Sequence, residues 1–145
     1  MCGIIGIVSN ESVSDRLVDG LRRMEYRGYD SAGVCTINDG QLVRRRAQGK
    51  LKNLVEELGG NPAAGTIGIA HTRWATHGAP TTHNAHPHAT DHVALVHNGI
   101  IENFKPLRDG LIEKGRTLES DTDSEVVAHL VSEQVENGAS PEDAV

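Results

Sequence analysis

The triplet Asn38-Asp39-Gly40 stands between an apolar run at residues 34–37 and a second extended run at 41–47. It narrows the possible folds more than any other feature of the chain. Asp-Gly suits the positive backbone angles of a tight hairpin, and a hairpin obliges its two strands to pair antiparallel. Further short apolar runs read as strands: Ile4, Ile5, Ile7 and Val8, then residues 66–71 with Ile67 and Ile69 on one face, then residues 93–96. Helical spacing alternates with them. Val13, Leu17, Leu21 and Met24 predict a helix capped by Ser12 and ended by Gly28. Leu51, Leu54, Val55 and Leu58 fall at i, i+3, i+4 and i+7 before a stop at Gly59. Phe104, Leu107, Leu111 and Ile112 predict a helix closed by Gly115, and residues 123–136 predict another with Val126, Val127, Leu130 and Val131 inward. Helices mixed with antiparallel strands predict an α+β fold.

Composition excludes several classes. The 145 residues suit one domain with a real core, and 37% hydrophobic against 23% charged is a globular balance. Aromatic residues make up only 3%, so the core must be aliphatic. Lys+Arg is 14 and Asp+Glu is 20, a formal net charge of -6, and only Arg44, Arg45 and Arg46 cluster. A nucleic-acid partner is not expected from that balance. No apolar run approaches the ~20 residues that span a bilayer, and no basic-then-apolar leader opens the chain. Cys2 and Cys35 cannot build a disulfide framework. The expectation is a soluble, cytoplasmic protein without a membrane partner.

Seven of the eight histidines lie between His71 and His97. His83, His86, His88 and His92 are close enough in sequence to suggest metal. No Cys-x-x-Cys or His-Glu-x-x-His accompanies them, and Pro87 makes a shared metal face awkward, so no metal site is expected.

Four segments carry residue types suited to chemistry. Cys2 and Gly3 are compatible with removal of Met1, which would leave a free amine and a thiol on one residue. An α-amine titrates near 7.7–8.0, so it can act as the thiol's own general base; alternatively Cys2 is incidental at a loose end. His97-Asn98-Gly99 ends a strand, where a side-chain N–H and a backbone N–H can aim at one oxyanion, or where Asn-Gly merely turns the chain. Arg73-Trp74-Ala75-Thr76-His77-Gly78 lies on a long irregular stretch. Arg73 offers a planar fork for a carboxylate, Trp74 is the sole tryptophan and a candidate lid, and Thr76 and His77 add polar contacts; a packed surface loop is the plainer reading. Ser120-Asp121-Thr122-Asp123-Ser124-Glu125 precedes the last long helix, either as caps or with one acid turned to an ammonium group.

Together these segments resemble the class II glutamine amidotransferases, a branch of the N-terminal nucleophile hydrolases. Met1-Cys2-Gly3-Ile4-Ile5-Gly6 resembles their start. Arg27-Gly28-Tyr29-Asp30-Ser31-Ala32-Gly33 is similar to the version in the glutamine–fructose-6-phosphate aminotransferase (isomerizing) family. So are the His71 to Gly78 segment, Asn84-Ala85-His86-Pro87-His88, His97-Asn98-Gly99-Ile100-Ile101-Glu102-Asn103 and Asp121-Thr122-Asp123-Ser124-Glu125. The resemblance runs over essentially the whole chain. It implies a four-layer α/β/β/α sandwich with antiparallel sheets, here incomplete.

The resemblance also implies roles. Cys2 would attack the side-chain amide of L-glutamine, with Asn98 and Gly99 stabilising the oxyanion. Arg73 would bind the α-carboxylate and Asp123 the α-amino group. Trp74, Thr76 and His77 would line the pocket, Trp74 as its gate, and Arg27 would help close it. His86 matches a position near the site without an assigned role. No cofactor is implied. Ammonia would pass to a sugar isomerase domain that handles fructose 6-phosphate, and the full-length family member would be a homo-oligomer. Residues 1–145 would be the N-terminal portion of the glutaminase domain, with the rest of that domain and the isomerase absent and no synthase activity in the fragment. Ser140-Pro141-Glu142-Asp143 is a helix start that agrees with this. The alternatives are a glutaminase of another class II branch and a non-enzymatic histidine-rich binding domain.

Overall fold

A computed structural model describes residues 2–145; the expected removal of Met1 lies outside the described residues. The elements are β1 (Gly3–Val8), α1 (Ser14–Arg22), a 3-10 turn (Glu25–Arg27), β2 (Ser31–Asn38), β3 (Gln41–Gln48), α2 (Leu51–Gly60), β4 (Ile67–Arg73), β5 (His88–Ala89), β6 (Ala94–Leu95), α3 (Phe104–Glu113), α4 (Ser124–Glu136) and α5 (Pro141–Ala144). The α+β expectation holds. A four-stranded antiparallel sheet has the order β1-β4-β2-β3, and β5 pairs with β6 separately.

The β2–β3 hairpin forms where the sequence places it. Asp39 and Gly40 take φ of 50° and 78°, and Asn38 pairs with Gln41 across the turn. Strand pairing then sets two chemically different faces, because side chains alternate along each strand. One face carries Ile5, Ile7, Ala32, Val34, Ala47 and Ala70 toward α1 and α2. There they meet Val13, Leu17, Leu21, Leu51 and Leu54 in a core that is aliphatic apart from Tyr29. The other face carries Gly33, His71 and Arg73 toward the segment around β5. Gly33 is there because nothing larger fits: an added Cβ would lie 2.2 Å from the His86 carbonyl oxygen. Arg46, beside Gly33 in register, donates to the carbonyls of His83 and Ala85 and ties that segment down. α4 covers β5 from beyond, and α3 packs on α4. The layers therefore run helix, sheet, short strand pair, helix.

Several boundaries move, each for a local reason. Ser12 does not cap α1; Val13 holds the N-cap position and donates its N–H to Gly65. α1 ends at Arg22, and Gly28 with φ 73° ends the following 3-10 turn instead. α2 continues through Gly59 to Gly60 and stops at Asn61. The strand expected at 93–96 shortens to β6. Ile67 and Ile69 do share a face, but it is the one turned away from the aliphatic core, and Ile67 stays 43% exposed. On α4, Val126 is fully buried as expected, yet Val127, Leu130 and Val131 are only half-buried. Glu125, His129 and Ser132 take the buried positions. The cluster Arg44-Arg45-Arg46 is split by strand alternation: Arg44 and Arg46 pair with Glu119, while Arg45 turns to the Asn61 carbonyl. Among the described residues no helix is long and apolar enough to cross a membrane.

Candidate active site

β1 and β4 end side by side, with Gly3 opposite Thr72. The register carries Cys2, one residue further, to the segment leaving β4. There the Trp74 N–H donates to the Cys2 Sγ at 3.2 Å. Cys2 is half-buried, whereas Cys35 lies in the sheet 2% exposed, and burial pushes its thiol up to about 11. The two cysteines thus differ sharply in access, and burial disfavours the thiolate of Cys35.

A cavity of about 480 Å³ opens at this end of the sheet. It is lined by Cys2 just before β1, Arg27 of the 3-10 turn, Arg73 at the end of β4, and Trp74, Thr76 and His77 beyond it. His86, Asn98, Gly99 and Asp123 complete the set. All ten residues singled out from the sequence therefore reach one cavity, although they span more than 120 positions of chain. His71, His97, Ile100, Thr122 and Ser124 also line it.

Arg73 is 4% exposed. Its guanidinium donates to the carbonyls of His77, Gly78 and Ala79, the latter two at 3.2 Å each. Part of the donor fork is thereby spent curling the loop over the cavity. Burial lowers its pKa while the Asp30 carboxylate opposes the shift. Asp30 accepts the Ala75 N–H at 2.6 Å and donates its own N–H to the Arg73 carbonyl, which fixes both sides of Trp74. The Trp74 side chain remains 56% exposed, as a lid would be.

On the opposite wall, Asp123 holds the N-cap position of α4 without capping it. One carboxylate oxygen accepts the Ile101 N–H at 2.7 Å and lies 3.9 Å from His77 Nδ1. Asp123 thus anchors the chain just beyond Asn98-Gly99 and presents a buried negative group to the cavity. Capping falls partly to Thr122, whose hydroxyl accepts the Glu125 N–H, and Glu125 reaches back to the N–H groups of Glu119 and Ser120 at 2.7 Å each. The acid-rich segment therefore divides its work between helix start and cavity.

Three histidines cluster at the floor of the site, His71 and His86 lining the cavity and His88 behind them. The His86 ring lies tilted against His71, with centroids 4.3 Å apart, and meets His88 edge-on at 4.4 Å. Burial lowers the pKa of all three: His71 to about 4, His86 further, and His88 also downward. They are neutral imidazoles at neutral pH. Among the described residues no three His, Cys, Asp or Glu side chains group as a metal site. His71 Nε2 lies 2.7 Å from Asn98 Oδ1, and His97 Nδ1 lies 3.0 Å from the Ser124 hydroxyl. His71, His97 and Ser124 were not singled out from the sequence. The signal for His71 was its place at an odd position of β4, facing away from the aliphatic core like Arg73.

Comparison with known proteins sets this geometry in a family. A family model described as a glutamine amidotransferase domain matches residues 57–140. The chain is 66% identical over its full length to glutamine–fructose-6-phosphate aminotransferase (isomerizing) of Zymomonas mobilis, and 61% identical to that of Brucella abortus. It spans about a quarter, 24%, of each of those relatives. Among solved structures it is similar to the allosteric regulatory enzyme of purine biosynthesis, with TM-score 0.79, 25% identity, and coverage of 99% of this chain and 31% of that one. Glutamine phosphoribosylpyrophosphate amidotransferase from B. subtilis shares the fold, at TM-score 0.75 and 24% identity over 99% of this chain and 31% of the other. Alongside a thiol near the N-terminus lining a cavity with a buried arginine and a buried aspartate, these matches have one reading: the chain belongs to the glutamine amidotransferase domain family.

Proposed function

We propose that this chain is the N-terminal portion of a glutaminase domain in an enzyme that converts fructose 6-phosphate and L-glutamine to glucosamine 6-phosphate and L-glutamate. The observation that carries the reading is the single cavity in which a half-buried N-terminal thiol meets a buried arginine and a buried aspartate. Glutamine has a cation and an anion at one end and a reactive amide at the other, and the cavity offers a complement to each.

The steps follow from the groups present. Arg73 binds the α-carboxylate with the part of its fork not used on the loop carbonyls, and Asp123 binds the α-ammonium group. With Met1 removed, the α-amine of Cys2 takes the thiol proton, and Sγ attacks the amide carbon. The side-chain N–H of Asn98 and the backbone N–H of Gly99 stabilise the tetrahedral oxyanion, each donor worth about 10²–10³ in rate. The amine returns its proton to the leaving nitrogen, ammonia departs and a thioester remains. Water then attacks the thioester through a second oxyanion, and glutamate leaves. Trp74, Thr76 and His77 shape the pocket, with Trp74 over its mouth and Arg27 on its N-terminal side. His86 supports the floor as a neutral ring.

The sugar chemistry belongs to a separate isomerase domain outside these residues, and so does the remainder of the glutaminase domain. The share of the relatives spanned supports this division, as does the exposure of Ile4, Val8, Ile37 and Ile67 on the sheet face away from α1 and α2. The full-length protein acts in the cytoplasm as a homo-oligomer. The test is a glutaminase assay on the full-length protein. Glutamate and ammonia should appear in equal amounts, and Cys2→Ala should abolish both while leaving glutamine binding. Hydrolysis that survives Cys2→Ala would overturn the reading.

A further inference from the structure

His71 lies on β4, fully buried, and the proposed steps give it no role. Its Nε2 is 2.7 Å from Asn98 Oδ1. Its Nδ1 is buried and makes no hydrogen bond of ordinary geometry to a described residue, although the His97 backbone carbonyl acts on the imidazole as an acceptor. These two facts choose the tautomer. A proton on Nδ1 would leave a buried N–H donor without a well-formed hydrogen bond, which proteins avoid more strictly than an unpaired acceptor. The proton therefore sits on Nε2 and is donated to Asn98. An amide oxygen held in this way leaves the other end of the amide, Nδ2, to face elsewhere. Asn98 Nδ2 makes no hydrogen bond to a described residue, and Asn98 lines the same cavity as Cys2.

We propose that His71 is a positioning residue that fixes the flip state of the Asn98 amide, so that its N–H rather than its oxygen is offered to the oxyanion. The inference rests on the glutaminase reading given above. The alternative amide orientation would present a lone pair to a developing negative charge, turning a stabilising group into a repelling one. Three features hold the imidazole in place. β4 is a central strand, paired on both sides. The His86 ring stacks on it at 32°. Burial keeps it neutral, so no proton is added at Nδ1 that would disturb the pairing near neutral pH.

The test uses the full-length protein and its glutaminase reaction. His71→Leu removes the donor. Its kcat should fall about 10–10³-fold, no further than loss of the Asn98 donor itself, with KM for glutamine little changed. His71→Gln, which carries an N–H donor on a side chain of similar reach, should recover much of the loss. In the double variant His71→Leu/Asn98→Ala the effects should not add, and the rate should match Asn98→Ala alone. The ¹⁵N shifts of the His71 ring should report the Nε2–H tautomer. Additive losses, an Nδ1–H tautomer, or a His71→Leu enzyme with unchanged kcat would overturn the proposal. If His71→Leu fails to fold, His71→Gln and the tautomer still decide it. Should Asn98→Ala itself leave kcat unchanged, the oxyanion reading fails instead, and the two failures are told apart.

Discussion

At the residue scale, the site depends on side chains that serve two ends at once. Arg73 both curls the loop through the carbonyls of His77, Gly78 and Ala79 and faces the cavity. Lysine keeps the charge but cannot reproduce a planar fork that bridges three acceptors. Arg73→Lys should raise KM for glutamine by about 10–100-fold, the worth of one charge-assisted hydrogen bond, and steady-state kinetics on the full-length protein would check this. The histidine floor sets a pH dependence. His71 titrates near 6.5 in the unfolded chain and near 4 when buried, so the unfolded state binds the proton first as the solution is acidified. The stability that His71 provides is complete above pH 6.5 and is lost progressively as pH falls to about 4. The loss reaches roughly 3 kcal/mol, and His86 and His88 push in the same direction. Urea midpoints measured between pH 7 and 4.5 should fall steadily, and His71→Gln should flatten that slope.

At the element scale, what could be read in advance was whatever depends on local periodicity. The β2–β3 hairpin was legible because Asp39-Gly40 needs only its own backbone angles. The α1 and α2 faces were legible because Leu17, Leu21, Leu51 and Leu54 bury at helical spacing. α4 was legible only at Val126, because the rest of its buried face is largely polar: Glu125 reaches the N–H groups of Glu119 and Ser120, and Ser132 meets the Thr90 hydroxyl. A pattern of Val and Leu finds the half-buried side and misses the one that packs on β5. The same holds for the site. Cys2, Arg73, Asn98 and Asp123 announce themselves by residue type, whereas His71 gains meaning only from the β4 register and an Asn98 contact 27 positions away. Glu125 gives a test at this scale. Burial pushes its carboxyl up, but the His129 imidazole 3.7 Å away and hydrogen bonds from the Ser120 hydroxyl and the Glu119 and Ser120 N–H groups hold it below the usual range. Glu125→Ala strands those donors and should cost about 3–5 kcal/mol in a chemical denaturation experiment.

At the scale of the whole molecule, two faces of one sheet have unlike fates. The α1–α2 side is closed by an aliphatic core. The opposite side carries the site at one end, and at the other a cavity of about 320 Å³ lined by Ile37, Ile67, Ile69, Val131 and Val135. Exposed apolar area of this kind marks a surface that expects a partner. If the rest of the glutaminase domain supplies it, the 145-residue chain alone should bind a hydrophobic dye strongly, and the full-length protein should not. Equal dye binding by both would contradict that division of the domain.

The central claim is that Cys2 is the nucleophile of a glutamine site, and the most direct measurement is intact mass with peptide mapping after exposure of the full-length protein to an electrophilic glutamine analogue. The account predicts a starting mass without Met1 and a single adduct on Cys2 that excess glutamine prevents. Cys35 should stay unmodified, since it is buried and its thiol is held near 11. Labelling on Cys35, labelling indifferent to glutamine, or no adduct on Cys2 would contradict the account.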